Sequence, residues 1–405
     1  MAARGRRLYW FFALNYFAQG MAGLAYEPVS YLLKDSLGLG PARAAAFVTW
    51  MTFPLIIKPL FGLLTDFLPW SGRRRAPHLA AVSLVSSAGW ILLAAPARHR
   101  YASTLALLIL INVGFVLCDI VCDGVMVERG KERGLTGIYQ AVQIGTLYAA
   151  LVVTGLGGGW LAAHATYRTA FLLAAVFPAL TAASAFWLEE SGAGSIHETA
   201  ARGWAGLKSM AADRRAWAAA IGIFLWSFCP FLGTAQFYYQ SEALKLSPLF
   251  IGGLSTVGGL AGVAGAALFG RLSAREGGTA RLARGSVLAG APLSLLYLFY
   301  VGPGSILALT VLFALTGVVF RLAWMDLAAR LCPEGAEATA FAAFMAVFNL
   351  AAAASNWVGG ALYERLAASH GSYQAMAALS LVGTLGTVAA WPALRAALGN
   401  DATRA

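Results

Sequence analysis

The sequence predicts an all-α membrane protein with 12 transmembrane helices, arranged as two pseudo-symmetric six-helix bundles. Three observations predict this fold. The 405-residue chain is 59% hydrophobic and 12% charged, so one soluble core could not bury its apolar surface. Twelve apolar windows, each of about 20 residues and long enough to cross a bilayer, follow one another along the chain. Several polar residues recur in the same order in the two halves, as in internally duplicated membrane proteins.

The windows divide into six, a polar linker and six. We predict an N-terminal bundle over 1–188, a cytoplasmic linker over 189–215 and a C-terminal bundle over 216–405. The first apolar run, from Leu8 to about Leu33, is too long for a signal-peptide core and predicts an uncleaved first span. The windows lie near 8–33, 44–64, 78–95, 102–127, 136–162, 168–188, 216–240, 248–270, 281–300, 304–329, 338–362 and 372–394.

The formal net charge is +11 at pH 7, but the basic residues lie in short segments between the windows. This pattern indicates topology signals rather than a nucleic-acid surface, so we expect the lipid bilayer and no nucleic acid as partner. With the N-terminus inside, the outer loops hold seven of the 29 bases, and Lys58 and Arg321 fall within spans. Arginine outnumbers lysine, as is typical of GC-rich bacteria. We therefore expect the bacterial cytoplasmic (inner) membrane, with both termini in the cytoplasm.

Enzyme chemistry has no motif in this chain. The five histidines form no cluster, and there is no GxSxG elbow, HExxH pair or phosphate loop, so we predict no enzyme, no cofactor and no metal. The four cysteines lie in or at the end of apolar windows, and their spacing indicates neither a disulfide framework nor a CxxC metal site.

The internal repeat indicates how the two halves are related. Asp123 and Thr136 match Asp326 and Thr339 at one constant spacing. Two six-helix halves with this sidedness are typical of the major facilitator architecture, in which a solute site lies between the bundles near the midplane. This pattern predicts secondary transport of a small solute by alternating access.

The segment after the second window carries an acid, a tight turn and three bases. It resembles the major facilitator loop signature, G-x-L-x-D followed by glycine and basic residues. Gly62 and Asp66 fit its first part, and Arg73, Arg74 and Arg75 follow after a three-residue insertion. Such a loop can hold a charged network that breaks when the halves move, so we predict a gating role. The alternative for each arginine is a plain topology signal.

The fourth window contains two acids, Asp119 and Asp123, spaced to lie on one helical face. A carboxylate within a span normally has a partner, and Lys58 in the second window is the expected one. The trio is either a static ion pair or a set of proton-coupling or gating carboxylates.

In the second half, Arg321 lies deep in the tenth window, followed by Trp324 and Asp326. Arginine is costly within lipid, and its planar fork suits a carboxylate on a solute. It could equally pair with Asp326, which we also include among the proton-coupling or gating residues.

Further polar and aromatic residues in the spans are candidates for a central solute pocket. Each has interhelical hydrogen bonding as its alternative role. The candidates are Asn15, Gln19, Gln140, Gln143, Trp226, Gln236 and Asn349.

These features together resemble the folate/biopterin transporter family of the major facilitator superfamily. The resemblance rests on IIKPLFGLLTD with an expanded turn before GRRR, on CDIVCDGVMVERG in the fourth window and on the opening NYFAQGMAGLAYEPVSYLLKDSLGLGPARAA. It covers most of residues 15–165 and fades to a general fold pattern in the C-terminal half.

The resemblance implies proton-linked uptake of folates or pterins, which are flat heteroaromatic solutes; folates also bear glutamate carboxylates. An arginine in a span and aromatic faces suit such a ligand, by bidentate pairing and by stacking. The expected partners are therefore an anionic small-molecule solute and a proton, and we expect a monomer.

Two alternatives remain open. A permease of the same superfamily could carry a muropeptide or a drug, although Gly155–Gly159 lacks the proline typical of the fifth span of exporters. From another class, the chain could be a membrane assembly factor that transports nothing.

Overall fold

A computed structural model describes residues 2–38, 47, 50–96, 98–188, 196–233, 235–236, 239–246 and 248–399. Over these ranges the chain is almost entirely helical, and the β-bridge that they contain joins Trp70 to Arg73. The predicted all-α membrane fold is confirmed. Parts of three predicted segments lie outside the described residues: 189–195 of the linker, 44–46 with 48–49 of the second window, and 234 with 237–238 of the seventh window.

Within the described residues, nine helices are long and apolar enough to cross a membrane. They coincide with nine of the 12 predicted windows. The window near 8–33 is divided at Ala22 into a 20-residue and a nine-residue helix, and the windows near 44–64 and 216–240 contain shorter helical pieces. Prolines contribute to the interruptions in the latter two, because proline removes a backbone donor and disfavours helical geometry at the residue before it.

The first compact unit comprises Met1–Gly134, Val142–Leu207 and Pro333–Ala343. Short 3₁₀ or π segments at Leu32–Ser36, Phe53–Leu55 and Ala185–Trp187 connect some of its helices. The α-helices of this unit are α1 (Ala2–Met21), α2 (Gly23–Tyr31), α3 (Lys58–Phe67), α4 (Ala76–Ala94), α5 (Tyr101–Arg133), most of α6 (Thr136–His164), α7 (Tyr167–Ser184) and most of α8 (Ile196–Ala212).

The core of this unit forms where α4 packs along α5 and α7. The Trp90 and Phe171 rings lie 5.7 Å apart, and both side chains are buried. The close approach of α4 and α5 depends on Gly114, because a Cβ there would lie 1.9 Å from the Ser86 hydroxyl oxygen. The α5 helix ends at Arg133, since Gly134 follows with φ +65° and closes the last turn.

The second compact unit comprises Leu135–Ala141, Lys208–Cys332 and Phe344–Ala405. The predicted bundles at 1–188 and 216–405, with the linker between them, stay a prediction. The helices of the second unit are α9 (Arg214–Ser227), α10 (Pro248–Ser273), α11 (Gly278–Leu288), α12 (Gly290–Leu295), α13 (Pro303–Leu331), α14 (Glu337–His370, from Phe344 onward) and α15 (Ser372–Leu398), with a π segment at Tyr239–Ala243 and a 3₁₀ turn at Leu296–Phe299.

The α9 helix begins and ends at identifiable signals. Asp213 caps its start by accepting a hydrogen bond from the Arg215 backbone N–H at 2.8 Å. The helix ends at Ser227, two residues before the Cys229–Pro230 step, which disfavours helical geometry at Cys229. The backbone N–H of Cys229 donates instead to the Ser355 hydroxyl at 3.0 Å. The non-helical backbone that follows α9 lies next to a cavity described below.

Candidate functional site

A lysine–aspartate cluster forms inside the first unit. The Lys58 ammonium bonds to Asp119 Oδ2 at 2.5 Å and to Asp123 Oδ2 at 3.0 Å. The Tyr16 hydroxyl donates to the other Asp123 oxygen at 2.6 Å. The predicted pairing of Lys58 with the acids of the fourth window is confirmed, and both aspartates take part.

The two aspartates differ in exposure. The side chains of Lys58 and Asp123 are 4% and 2% exposed, whereas that of Asp119 is 18% exposed. Lys58 is the first residue of α3, where the helix dipole disfavours a cation, so the carboxylates also compensate an unfavourable position. The cluster holds one carboxylate more than it holds ammonium groups, and the carboxyl that water reaches more easily is Asp119.

Two of the predicted pocket residues, Asn15 and Gln19 on α1, form hydrogen bonds with neighbouring protein groups. Asn15 donates to the Ser184 hydroxyl at 2.9 Å and to the Phe11 carbonyl at 2.7 Å. Gln19 donates to the Cys118 sulfur at 3.8 Å and lies beside a small cavity of about 40 Å³. Asn15 is fully buried, so its bonds are interhelical contacts of the kind that small polar side chains make in membranes.

Asp66, near the end of α3, is the centre of a second network in the first unit. Its Oδ2 accepts from the backbone N–H and the hydroxyl of Thr339 at 2.8 and 2.9 Å. Its Oδ1 accepts from Arg74 at 3.2 Å and from Arg75 at 3.5 Å. The network depends on close backbone approach, because a Cβ at Gly62 would lie 2.6 Å from the Thr339 Cα.

Two further acids complete the Asp66 network. Arg75 bonds to Glu128 and lies 3.5 Å from Glu337, and Arg74 lies 3.5 Å from Glu337. Burial raises the pKa of the Asp66 carboxyl above its ordinary value, although Arg75 and the Thr339 N–H favour its ionised form. Burial lowers the pKa of Arg75, but its carboxylate neighbours outweigh this and hold that pKa above the ordinary arginine value.

The inserted turn between Asp66 and the arginines is a tight two-residue loop. Trp70 and Arg73 exchange backbone hydrogen bonds at 2.8 and 3.1 Å. Ser71 and Gly72 between them have φ values of +53° and +72°, the conformation that asparagine and glycine favour in such turns. The turn leaves the Arg73 side chain exposed, and no ion pair of Arg73 is found among the described residues.

Asp326 is the centre of a network in the second unit. Its carboxylate accepts from the Thr136 hydroxyl, from the Thr279 hydroxyl at 2.5 Å and from Arg330 at 3.0 Å. Arg330 lies four residues along α13 and therefore on the same helical face, whereas Arg321 lies five residues away. This geometry excludes the alternative in which Asp326 pairs with Arg321.

A cavity of about 370 Å³ lies in the second unit, beside the non-helical backbone that follows α9. Arg321 and Asn349 line it and are exposed, and the Arg321 guanidinium lies over the Phe348 ring, 5.5 Å from its centroid. Among the described residues, no acid pairs with Arg321. Tyr297 and Phe313 also line the cavity, and their rings stack at 4.7 Å. The cavity therefore combines an unpaired cation with aromatic faces.

Three other predicted pocket residues of this unit bond to protein groups. Trp324 is fully buried, and its indole N–H donates to the Ser286 hydroxyl at 3.0 Å. Trp226 lines the cavity but donates its N–H to the Ser286 carbonyl at 3.2 Å. Gln236 donates to the Tyr300 hydroxyl at 3.2 Å. Their predicted solute contacts stay predictions.

Gln140 and Gln143, one turn apart on α6, are fully buried. The amide nitrogen and the amide oxygen of both residues are without a hydrogen-bond partner among the described residues. Such groups normally have partners, so these amides are available to bond to water or a ligand.

Several members of these networks were not predicted from the sequence. Glu128 lies within the quoted motif CDIVCDGVMVERG, and Arg330 lies one turn after Asp326, so local sequence could have identified both. The others are reached only through the fold. The unpredicted members are Tyr16, Glu128, Thr279, Arg330, Glu337 and Phe348.

The amino-acid sequence matches the model of the BT1 family over residues 19–276 and 306–397. The chain belongs to the BT1 family. A "Folate-biopterin transporter" of Synechocystis sp. is 30% identical to this BT1 family member over 401 residues, covering 94% of this chain and 79% of the relative. "Folate transporter 1" of Plasmodium falciparum is 23% identical and covers 85% of this chain and 70% of its own. The resemblance stated from the sequence is confirmed and extends further into the C-terminal half than predicted.

Solved structures confirm the major facilitator fold of this BT1 family member. The crystal structure of the superfamily transporter FucP in the outward conformation has a TM-score of 0.72 at 14% identity and covers 95% of this chain and 97% of its own. The crystal structure of the human organic anion transporter MFSD10 has a TM-score of 0.69 at 16% identity and covers 94% of this chain and 98% of its own. The family is one of membrane transporters and not of enzymes, as predicted.

Proposed function

We propose that the protein is a secondary active transporter that takes up an anionic, heteroaromatic solute of the folate or pterin class by alternating access, coupled to protons. Relatives that cover most of the chain are named for folate and biopterin transport. Glutamate carboxylates on a folate need a cation, and the fused ring needs flat apolar surfaces.

Arg321 is the observation that carries this proposal. Intramembrane arginines normally pair with protein acids, yet this guanidinium is exposed beside a cavity and has no acid partner among the described residues. Its contact with the Phe348 ring holds the planar fork in place without using its N–H donors. A solute carboxylate could therefore bind it bidentately, and the stacked rings of Tyr297 and Phe313 supply aromatic surface nearby.

The lysine–aspartate cluster supports proton coupling. The cluster holds two carboxylates and one ammonium group, so Lys58 balances one of the two carboxylates when both are ionised. Asp119 is the carboxyl that water reaches more easily, and we propose it as the place where the coupled proton enters and leaves the cluster. The alternative, a static ion pair, requires no change of protonation during transport.

The Asp66 network supports a gating role. Gly62, Asp66, Arg74 and Arg75 join α3 and the following turn to the start of α14, and Asp326 joins the start of α6 to α11 and α13. Bonds of this kind must break if these segments separate during transport. We assign the networks to the bacterial inner membrane's cytoplasmic side, together with both termini, and we expect a functional monomer of two six-helix bundles.

Substrate uptake by Arg321 variants tests the proposal. Purified protein in proteoliposomes, with an imposed inward proton gradient, should accumulate labelled folate or pterin, and a panel of unlabelled folates and pterins should compete. Arg321→Gln should raise the KM for folate by about ten- to a hundredfold, the value of a charged hydrogen-bonded pair, while thermal stability stays unchanged.

The matched control is Arg365→Gln, which removes another exposed arginine, on α14, that does not line the cavity. It should leave uptake unchanged. If no folate or pterin in the panel is transported or competes, the substrate class is wrong. If Arg321→Gln and Arg365→Gln behave alike, Arg321 does not bind the solute.

Coupling is tested separately at Asp119. Asp119→Asn leaves Lys58 with one carboxylate, Asp123, so the buried pair stays neutral and the fold should persist. Accumulation driven by the proton gradient should fall at least about tenfold, whereas exchange of solute across the membrane without a gradient should continue. Gradient-driven accumulation equal to that of the wild type would instead indicate a static ion pair.

A further inference from the structure

A second cavity lies at one end of the first unit, with a volume of about 620 Å³. It forms where the chain passes from α4 to α5 and from α6 to α7. Its walls are more polar than those of the cavity beside Arg321, and no carboxylate side chain is found among the described residues that line it. The residues that matter here are Arg98, His99, Thr166, Tyr167 and Arg168.

Two arginines give this cavity a cationic wall. Arg98 and Arg168 are exposed, and neither forms an ion pair with any residue in the described ranges. The partly buried His99 ring also lines the cavity. Guanidinium groups that converge on a concave surface without acids attract oxyanions.

The floor of the cavity is fixed by packing. His99 Nε2 lies 2.9 Å from the Leu93 carbonyl oxygen, to which it donates a hydrogen bond, and this contact fixes the ring. The His99 ring also packs in an edge-to-face arrangement with the Tyr167 and Phe171 rings, whose centroids lie 6.5 and 6.1 Å from its own. Phe171 belongs to the buried core of the unit. The part of the cavity wall at His99 is therefore held by packing, which lowers the entropy lost there when a ligand binds.

The distribution of charge along the chain points to the same place. In the orientation proposed above, this end of the unit faces outward, where basic residues are normally scarce. Three of the seven outer bases, Arg98, Arg100 and Arg168, lie in these two connections. Positive charge on the inner side helps to fix topology, but that reason does not apply on the outer side. These arginines therefore need another explanation.

We infer that this cavity binds an oxyanion, a carboxylate or a phosphate, through Arg98 and Arg168. Two sources supply that chemistry, the carboxylates of an arriving solute and the phosphate of an anionic lipid. The solute source rests on the proposed function, since it gives an anionic substrate a first binding step before it reaches deeper residues. Such steering raises the association rate and weakens as salt is added.

The solute source is tested by uptake in vesicles of phosphatidylcholine, which has no net charge. The double variant Arg98→Gln/Arg168→Gln should raise the KM for folate about three- to tenfold without lowering the maximal rate, and the dependence of KM on salt should become weaker. Arg365→Gln, an exposed arginine outside the cavity, should match the wild type in both measurements.

The lipid source is tested by native mass spectrometry of the purified chain with added phosphatidylglycerol. If lipid is the ligand, the double variant retains less phosphatidylglycerol than the wild type and Arg365→Gln do, while its KM in phosphatidylcholine vesicles is unchanged. If neither KM nor lipid retention differs from the Arg365→Gln control, the cavity is not an anion site. If the wild type transports no folate or pterin, the proposed substrate fails, and the lipid measurement together with a thermal shift on adding inorganic phosphate still decides whether the cavity binds an oxyanion.

Discussion

The two compact units treat an intramembrane cation in opposite ways. In the first unit, the Lys58 ammonium is buried and bonds to two aspartates. In the second unit, Arg321 is exposed at a cavity wall and has no acid partner among the described residues. A cation that is neutralised internally stabilises the protein's own structure, whereas a cation without an internal partner is suited to an external anion. The contrast supports the proposal that coupling chemistry lies in the first unit and anion recognition in the second.

The aspartate–threonine networks show a second contrast. Asp66 in the first unit has Arg75 as a buried partner, with 3% of its side chain exposed, whereas Asp326 in the second unit pairs with Arg330, which is 54% exposed. An ion pair contributes more when both partners are withdrawn from water, and its breakage then costs more. Similar hydrogen-bond patterns therefore have unequal energetic weight, and the predictions below test that inequality.

The largest effect is expected at Lys58. Lys58→Met leaves two buried carboxylates without their cation, which should cost about 3–5 kcal/mol of stability unless one of them takes up a proton. Thermal unfolding in detergent should show a marked loss of stability, and uptake should disappear.

The double variants Lys58→Met/Asp123→Asn and Lys58→Met/Asp119→Asn identify which carboxylate matters more. Removal of the more buried one, Asp123, should restore more stability than removal of Asp119. Equal stability of the Lys58→Met variant and the wild type would mean that the cluster contributes nothing to the fold.

A smaller effect is expected at Asp66. Asp66→Asn keeps the shape but removes the charge that accepts from Thr339, Arg74 and Arg75, and a charged hydrogen bond contributes about 1.5–3 kcal/mol. Thermal unfolding should report a loss of that size. The control is Asp213→Asn at the start of α9, where asparagine caps a helix about as well as aspartate, so stability should not change. A loss at Asp213 as large as that at Asp66 would contradict the special weight of the buried network.

Local pattern predicted the parts of this molecule that depend on one helix or on the cost of lipid burial. The nine long helices follow from runs of apolar residues, and the partnership of Lys58 with Asp119 and Asp123 follows from the cost of an isolated charge in lipid. The interrupted windows were predicted as continuous spans because their composition is apolar throughout. Residues such as Pro54 and Pro230 change the backbone without changing that composition.

The partners that the sequence could not predict are uncharged or distant. Tyr16 carries no charge, so it did not stand out in an apolar window, and its bond to Asp123 spans 107 positions. Thr339 reaches Asp66 across 273 positions, which only the three-dimensional fold specifies. The exclusion of Asp326 as the partner of Arg321 required the observed position of Arg330. The sequence alone does not show that the side-chain amides of Gln140 and Gln143 are buried without a hydrogen-bond partner among the described residues.

The smallest effect is expected at Arg330. A variant of this residue tests most directly whether the two networks differ in their contribution to stability. Arg330→Gln removes a half-exposed ion pair, while the Thr136 and Thr279 hydroxyls continue to donate to Asp326. Arg330 is half in water and both hydroxyl donors to the buried Asp326 remain, so we expect a loss of about 1 kcal/mol, with unfolding within a few degrees of the wild type and uptake retained. Arg75→Gln, measured in parallel, should lose several times more stability because Arg75 is buried among Asp66, Glu128 and Glu337. Equal losses for the two variants would mean that burial does not distinguish the networks, and the asymmetry between the units would then rest on Lys58 and Arg321 alone.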